Sequence, residues 1–229
     1  MSKDRIGYRV RTKINRLDQN TIEKIKQYDT TLLADGAGSR IALSSDLKPV
    51  IQEKSIVGPA ITLKLTLGDS LLVSKAIDIA QAGDIIVIDA FGTDMNAVWG
   101  DLKSLIAKQK NIEGIIIDGS IRDVSACREI GVQIYCKNIV CSSSTKNSPG
   151  EINIPIVCGG MNVHPGDIVV GDENGVVILP ADDVDKILEN AKKKQEMVEK
   201  IRQEIIKGKY ISDNISEKMK QLGYEDESV

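Results

Sequence analysis

Hydrophobic and polar positions in this chain follow two periods, and the switches between them mark its elements. From residue 85 to 136, short β-branched runs alternate with amphipathic stretches. The runs are Ile85-Ile86-Val87-Ile88, Ile115-Ile116-Ile117 and Val132-Gln133-Ile134-Tyr135. Unbroken apolar runs of this length predict strands buried on both faces, and apolar residues at helical spacing between them predict crossover helices. Strand, helix, strand, helix, strand in that order predicts an α/β layer with right-handed crossovers.

The most informative stretch is GDLKSLIAKQKNIEGIIIDGSIRD, residues 100–123. Asp101 is placed to cap a helix over 102–110, with Leu102, Leu105, Ile106 and Gln109 on its inward side. Asp118-Gly119 is expected to end the strand that follows. A second helix, Val124 to Ile130, is closed by Gly131. Arg122 and Asp123 therefore fall just past the carboxyl end of a buried strand, where open α/β sheets bind ligands.

Before this stretch, residues 20–33 predict one helix, Asp35-Gly36-Ala37-Gly38-Ser39 a loop, Ile61 to Leu67 a strand led in by Gly58-Pro59, and Ser70 to Ala80 a helix. After it, Ser142 to Gly150 is a polar loop. Short strands then follow, cut by glycine and proline turns, and Asp172-Glu173-Asn174-Gly175 is a hairpin signal. Asp182 to Lys207 predicts a single helix of about 39 Å. Its apolar stripe is narrow (Val184, Ile187, Leu188, Ala191, Val198, Ile201, Ile205), and its length points to contact with a neighbouring subunit. The chain thus divides into an N-terminal arm over 1–18, an α/β body over 19–181 and a helical extension over 182–229.

Composition narrows the chemistry. The 229 residues are 41% hydrophobic and 3% aromatic with net charge −3, so a basic, aromatic-lined nucleic-acid surface is not expected. No apolar run approaches the roughly 20 residues of a membrane span. The basic segment 1–18 lacks the apolar core of a secretory leader, and a cytoplasmic protein is expected. The four cysteines have no metal-ligand spacing and read as buried free thiols. His164, the one histidine, sits in a turn before a hairpin, which argues against histidine-based nucleophilic catalysis. A bound metal would be held by oxygen, favouring Mg²⁺ or Mn²⁺. No P-loop or dinucleotide fingerprint is present. Taken alone, Asp118 reads as a turn or capping group, and Arg122-Asp123 as a helix cap beside a solvated arginine.

The pattern GD-x(12)-G-x-I-I-x-D-G-x-I-R-D, with the later PGD and D-x-x-GVV-x-x-P, resembles the RraA-like family over roughly residues 20–210. That family includes 4-hydroxy-4-methyl-2-oxoglutarate aldolases and the regulator of ribonuclease activity A. The resemblance implies a compact, swivelling-domain-like α/β/β sandwich with a long C-terminal helix, assembled as trimers or hexamers. It implies a substrate-binding segment of Gly100, Asp101, Leu102 and Lys103, a substrate-binding and catalytic Arg122, and a metal-binding Asp123. Asp101 also joins the catalytic set. Water-mediated metal contacts fall to Asp101 and to a neighbour's C-terminal helix, where Glu196 and Glu199 are the candidates. The implied activity is divalent-metal-dependent cleavage of a 4-hydroxy-2-oxo acid to pyruvate through an enolate, with oxaloacetate decarboxylation as a second activity. The helix start suits the substrate carboxylate, and the metal and Arg122 suit the developing enolate oxygen. Lys103 departs from the apolar residue usual in the family and adds charge beside that pocket. The alternative from the same family is a non-catalytic protein that binds a ribonuclease.

Overall fold

The computed structural model describes residues 5–38, 40–51 and 54–224. The first four residues of the expected arm, Ser39 of the expected loop and residues 225–229 of the polar end lie outside them. In chain order come α1 (Gln19–Ile25), α2 (Thr30–Ala37), β1 (Lys48–Pro49), β2 (Ile56–Lys64), α3 (Val73–Ile79), β3 (Ile85–Asp89) and β4 (Ala97–Trp99). Next are α4 (Asp101–Gln109), β5 (Gly114–Ile121), α5 (Val124–Ile130) and β6 (Gln133–Ile139). The remainder is β7 (Glu151–Ile152), β8 (Ile156–Cys158), β9 (Met161–Val163), β10 (Ile168–Asp172), β11 (Gly175–Leu179), α6 (Val184–Ile206) and α7 (Asp213–Gln221).

Strands β6, β5, β3 and β2 lie side by side and parallel, as the alternating pattern predicts. Strand β4 adds in parallel beside the end of β5, while β10 pairs antiparallel with β2 and β11 with β10. Alternate residues of each central strand point to opposite faces. Ile86, Ile88, Ile115 and Ile117 meet the side covered by α3, α4 and α5. Ile85, Val87 and Ile116 meet Ile156, Cys158 and Val163 of the small β8–β9 ribbon. Helix layer, main sheet and ribbon make the expected α/β/β arrangement. A third cluster packs α1, α2 and the start of α6 on β10 and β11.

Several boundaries differ from the sequence expectation, each for a local reason. The single helix over 20–33 is two, because Asp29 takes extended backbone and its carboxylate accepts from Leu32 N at 2.7 Å, starting a new helix. The expected 35–39 loop is largely the end of α2. There Gly36 lets the helix touch α6, since a Cβ would lie 2.7 Å from Ile187 O and 2.8 Å from Ala191 N. Strand β2 starts at Ile56, so Gly58 and Pro59 lie inside it and not before it. Gly58 is needed there because a Cβ would come within 2.2 Å of Gly83 O. Strand β5 does not stop at Asp118-Gly119 but continues to Ile121, with a register shift against β6 after Ile117.

The buried face of α4 is also not the one its apolar periodicity suggests. Leu102, Leu105 and Ile106 are exposed, and the small residues Ser104 and Ala107 are buried. Helix α6 spans 23 residues, about 35 Å. Val184, Ile187 and Ala191 are buried on the body, whereas Met197, Val198, Ile201 and Ile205 are exposed further along. The residues preceding α1 lie along the body: Arg16 forms a two-point ion pair with buried Asp84 at 2.9 and 2.7 Å, and Ile152 N donates to Arg9 O at 2.9 Å. Cys127, Cys136 and Cys158 are buried free thiols as expected, and Cys141 is exposed.

The α2–α6 contact gives a direct check. Gly36→Ala forces a methyl group against the α6 backbone, and overpacking of this kind costs about 1–3 kcal/mol. Urea denaturation is expected to show that loss, with the slope unchanged from wild type.

Candidate functional site

The carboxyl end of β5 is where the chain leaves the buried sheet. Gly114 to Ile121 are all buried, so Arg122 and Asp123 are its first polar residues on that side with room to project. Asp118, further back, is not a free group. Its carboxylate forms an ion pair with Lys137 at 2.7 Å and accepts from Gly159 N at 2.7 Å, which lets a charge sit inside a strand.

Asp123 takes a left-handed backbone, φ 56°, and opens α5 without a side-chain capping bond. The expected cap is thus absent, and the carboxylate is left to face outward. Its Oδ2 lies 3.2 Å from Arg122 Nε, with both side chains two-fifths or more exposed. Gly100 faces the same group: a Cβ there would stand 2.7 Å from Asp123 Oδ2. The backbone of Gly100 is extended, φ −167°, so the glycine is required for space and not for conformation.

Gly100, not Asp101, is the N-cap residue of α4, and Asp101 is the first helical residue. Its Oδ1 accepts from Leu102 N at 2.7 Å, so one amide of the helix start already has a partner. Gly100, Asp101, Leu102, Lys103, Arg122 and Asp123 nevertheless line one cavity of about 440 Å³. The structure brings these six expected residues to one place. It misses the opposite wall, where Ser143, Ser144 and Lys146 project from the 142–150 loop. That loop is held by buried Asp69, whose Oδ2 accepts from Asn147 N at 2.7 Å and Ser148 N at 3.0 Å. The only local signal is polar loop composition, which does not specify where a loop folds.

Lys103 does not extend freely into the cavity. Its ammonium donates to Val98 O at 2.6 Å. Burial first, and then the charges of Lys146 and Arg122, bring its pKa down to about 8, against a smaller opposing pull from Asp69. Glu196 and Glu199 stand on α6, outside this chain's cavity, where Glu199 bonds Arg202 and Gln203. His164 is exposed in the turn between β9 and β10, with Nδ1 3.4 Å from Asp167 Oδ2, as a surface turn residue should be.

The cavity offers two carboxylates of its own, Asp101 and Asp123, and no histidine or cysteine. Among the described residues, no group of three or more histidine, cysteine, aspartate or glutamate side chains could form an all-protein cage for a metal. Hard oxygen donors in small number suit a cation such as Mg²⁺ that keeps most of its ligands as water or substrate. The space left by Gly100 in front of Asp123 Oδ2 is consistent with that use. A larger concavity of about 630 Å³, beside Lys64, Phe91 and Glu151, is mainly apolar and lacks this convergence of charges. No helix among the described residues is long and apolar enough to cross a membrane.

Comparison with known proteins gives a consistent picture. A family model described as RraA-like, Aldolase/RraA, matches residues 28–178. A Halalkalibacterium halodurans protein named "Putative 4-hydroxy-4-methyl-2-oxoglutarate aldolase" is 39% identical over 182 residues, which cover 78% of this chain and 87% of that protein. An uncharacterized Methanocaldococcus jannaschii protein is 35% identical, with 82% of this chain and 90% of that one covered. Among solved structures, Streptomyces coelicolor RraAS2, described as an unusual member of the RNase ES inhibitor RraA family, superposes with TM-score 0.75 at 26% identity. That match covers 82% of this chain and 98% of the Streptomyces chain. The RNA-processing inhibitor RraA from Thermus thermophilis gives TM-score 0.63 at 27% identity, covering 67% and 93%.

Lys103 sets a pH signature that does not depend on any ligand. Unfolded, the lysine keeps its proton to about pH 10.5, whereas folded it releases it near pH 8. Between those values the unfolded chain binds more protons, so folding stability rises with pH across that window. Denaturation of the wild type from pH 7.5 to 10.5 is expected to show this rise relative to Lys103→Met, which should lack it.

Proposed function

Because the chain belongs to the RraA-like family, we propose that it is a lyase that cleaves a 4-hydroxy-2-oxo acid to pyruvate with the aid of a divalent cation. The observation that carries this reading is the meeting of Asp101, Arg122, Asp123 and the start of α4 in one cavity. A 2-oxo acid presents a carboxylate and a keto oxygen side by side. The helix start, with its positive dipole end, suits the carboxylate. The guanidinium of Arg122 suits the keto oxygen, which becomes negative as the carbon–carbon bond breaks.

Asp123 would hold the cation, Mg²⁺ or Mn²⁺, with Asp101 reaching it through water. When bound, such an ion supplies Lewis-acid stabilisation of the developing enolate. Arg122 adds a fixed positive charge at the same oxygen, a form of preorganised stabilisation worth several kcal/mol. Its Nε lies 3.2 Å from Asp123 Oδ2, which fixes the direction of the guanidinium. Asp101 is the cavity carboxylate on the helix side and is assigned to take the 4-hydroxyl proton through an intervening water. The proton's departure leaves a carbonyl on the released fragment, and the bonding pair stays on the pyruvate carbon. Oxaloacetate decarboxylation forms the same enolate and is proposed as a second activity.

A homo-oligomer, trimer or hexamer, belongs to this reading. The exposed apolar face of α4 (Leu102, Leu105, Ile106) and the exposed distal half of α6 call for covering surfaces. Helix α6 of a neighbour would then bring Glu196 or Glu199 toward the cavity. The names of the two RraA structures favour a second reading, a non-catalytic binder of a ribonuclease. Retention of Asp101, Arg122 and Asp123 in one cavity favours the enzyme.

Pyruvate release coupled to lactate dehydrogenase separates the two. With 4-hydroxy-4-methyl-2-oxoglutarate or oxaloacetate, turnover is expected with Mg²⁺ or Mn²⁺ and not with EDTA. Arg122→Ala and Asp123→Ala are each expected to lose about a hundredfold or more in kcat/KM. No pyruvate from either compound in the folded, metal-supplied protein would reject this substrate assignment, and capture of a ribonuclease would then establish the regulator.

A further inference from the structure

Behind the cavity lies a hydrogen-bonded group that the proposed chemistry does not use. Ser104, on the second turn position of α4, is fully buried, as is Cys127 of α5, and Trp99 at the end of β4 is 1% exposed. The Trp99 indole Nε1 donates to Ser104 Oγ at 2.8 Å. The Ser104 hydroxyl donates to Gly100 O at 3.1 Å, and the Cys127 sulfur lies 3.4 Å from the same Oγ. The Cys127 thiol donates to Arg122 O, with 3.7 Å between sulfur and oxygen.

Each buried donor in this group has an acceptor. The indole proton goes to Ser104, the hydroxyl proton to Gly100 and the thiol proton to Arg122. A serine that binds the carbonyl one helical turn back usually does so with little consequence. Here the same oxygen also accepts from a tryptophan on a neighbouring strand and touches a residue of the next helix. The backbone repeats the connection, because Arg122 N donates to Trp99 O at 3.1 Å and Ser104 N to Gly100 O at 3.0 Å. Ser104 is therefore the point where β4, α4 and α5 meet. Gly100 and Arg122, whose carbonyls end the two side-chain bonds, flank the cavity.

We infer that Ser104 is the positioning residue of the cavity: its buried hydroxyl fixes the distance between the α4 start at Gly100–Lys103 and the Arg122–Asp123 turn. This inference rests on the reading that the cavity holds a 2-oxo acid between those two segments. Its physical basis is separate. Removing the hydroxyl leaves the indole N–H without its acceptor in a site closed to water and takes away the Ser104–Cys127 contact, so that of the links described only the backbone bond from Arg122 N to Trp99 O still joins the two sides of the cavity. Displacements of about 1 Å between groups that bind one substrate can lower a rate by as much as a hundredfold.

The test combines residue-resolved hydrogen exchange of the unliganded full chain with the pyruvate assay, for the wild type, Ser104→Ala, Trp99→Phe and the double variant. In Ser104→Ala the amides of both Ser104's position and Arg122 are expected to exchange about tenfold faster. The pyruvate kcat should fall about tenfold, and the double variant should lose little more than Ser104→Ala alone. A role confined to helix stability would speed exchange in α4 alone, lower the melting temperature and leave kcat and KM unchanged, which overturns the inference. If Ser104→Ala does not fold, Ser104→Cys, which replaces the hydroxyl by a weakly bonding thiol of similar size, is read in the same way. If the wild type releases no pyruvate, the proposed reaction fails, and faster exchange at Arg122 alone decides whether Ser104 couples the two segments.

Discussion

Strand β5 runs through the parallel sheet with all eight of its residues buried, between β3 on one side and β6 on the other. Backbone groups there are paired by the sheet, and side chains on both faces are enclosed, so a charge is tolerated only where a partner is built in. Asp118 has Lys137 and the Gly159 amide. Arg122 and Asp123 escape that requirement because the strand has ended. The helix start of α4 is brought beside them by β4, which pairs with the end of β5. The cavity is a consequence of where a buried strand surfaces and of which short strand it surfaces next to.

Close approach is the second condition. Asp123 Oδ2 stands so near Gly100 that a Cβ there would lie only 2.7 Å away. Trp99 and Ser104 on one side and Cys127 on the other close the back of that arrangement with bonds that exclude water. The polar residues of the cavity thus sit on a packed apolar and hydrogen-bonded support. This rigid support holds the Arg122–Asp123 ion pair and the Asp101 carboxylate in one cavity.

Much of this is legible in the amino-acid sequence itself. The β-branched runs identify the central strands, and the change to helical spacing identifies α4 and α5, because burial on both faces imposes composition directly. Arg122 and Asp123 follow from the same pattern as the first polar pair after a buried run. Departures came where small residues govern. Gly36 and Gly58 read as loop formers, but each serves a contact too close for a Cβ. Helix α4 buries Ser104 and Ala107 and exposes its larger apolar residues, so hydrophobic periodicity marks the wrong face. Ser143, Ser144 and Lys146 were not legible because the Asp69 contacts that place their loop are made across more than seventy residues of chain.

Binding of oxalate, a stable planar mimic of the pyruvate enolate, is the most direct measurement of whether the β5 end and the α4 start form one recognition site. Calorimetric titration of the wild type with oxalate is expected to give saturable binding in the presence of Mg²⁺, and none in EDTA. Asp123→Asn and Arg122→Ala should each abolish or strongly weaken it. Oxalate binding that is equally strong with EDTA, or undiminished in both variants, would contradict the account.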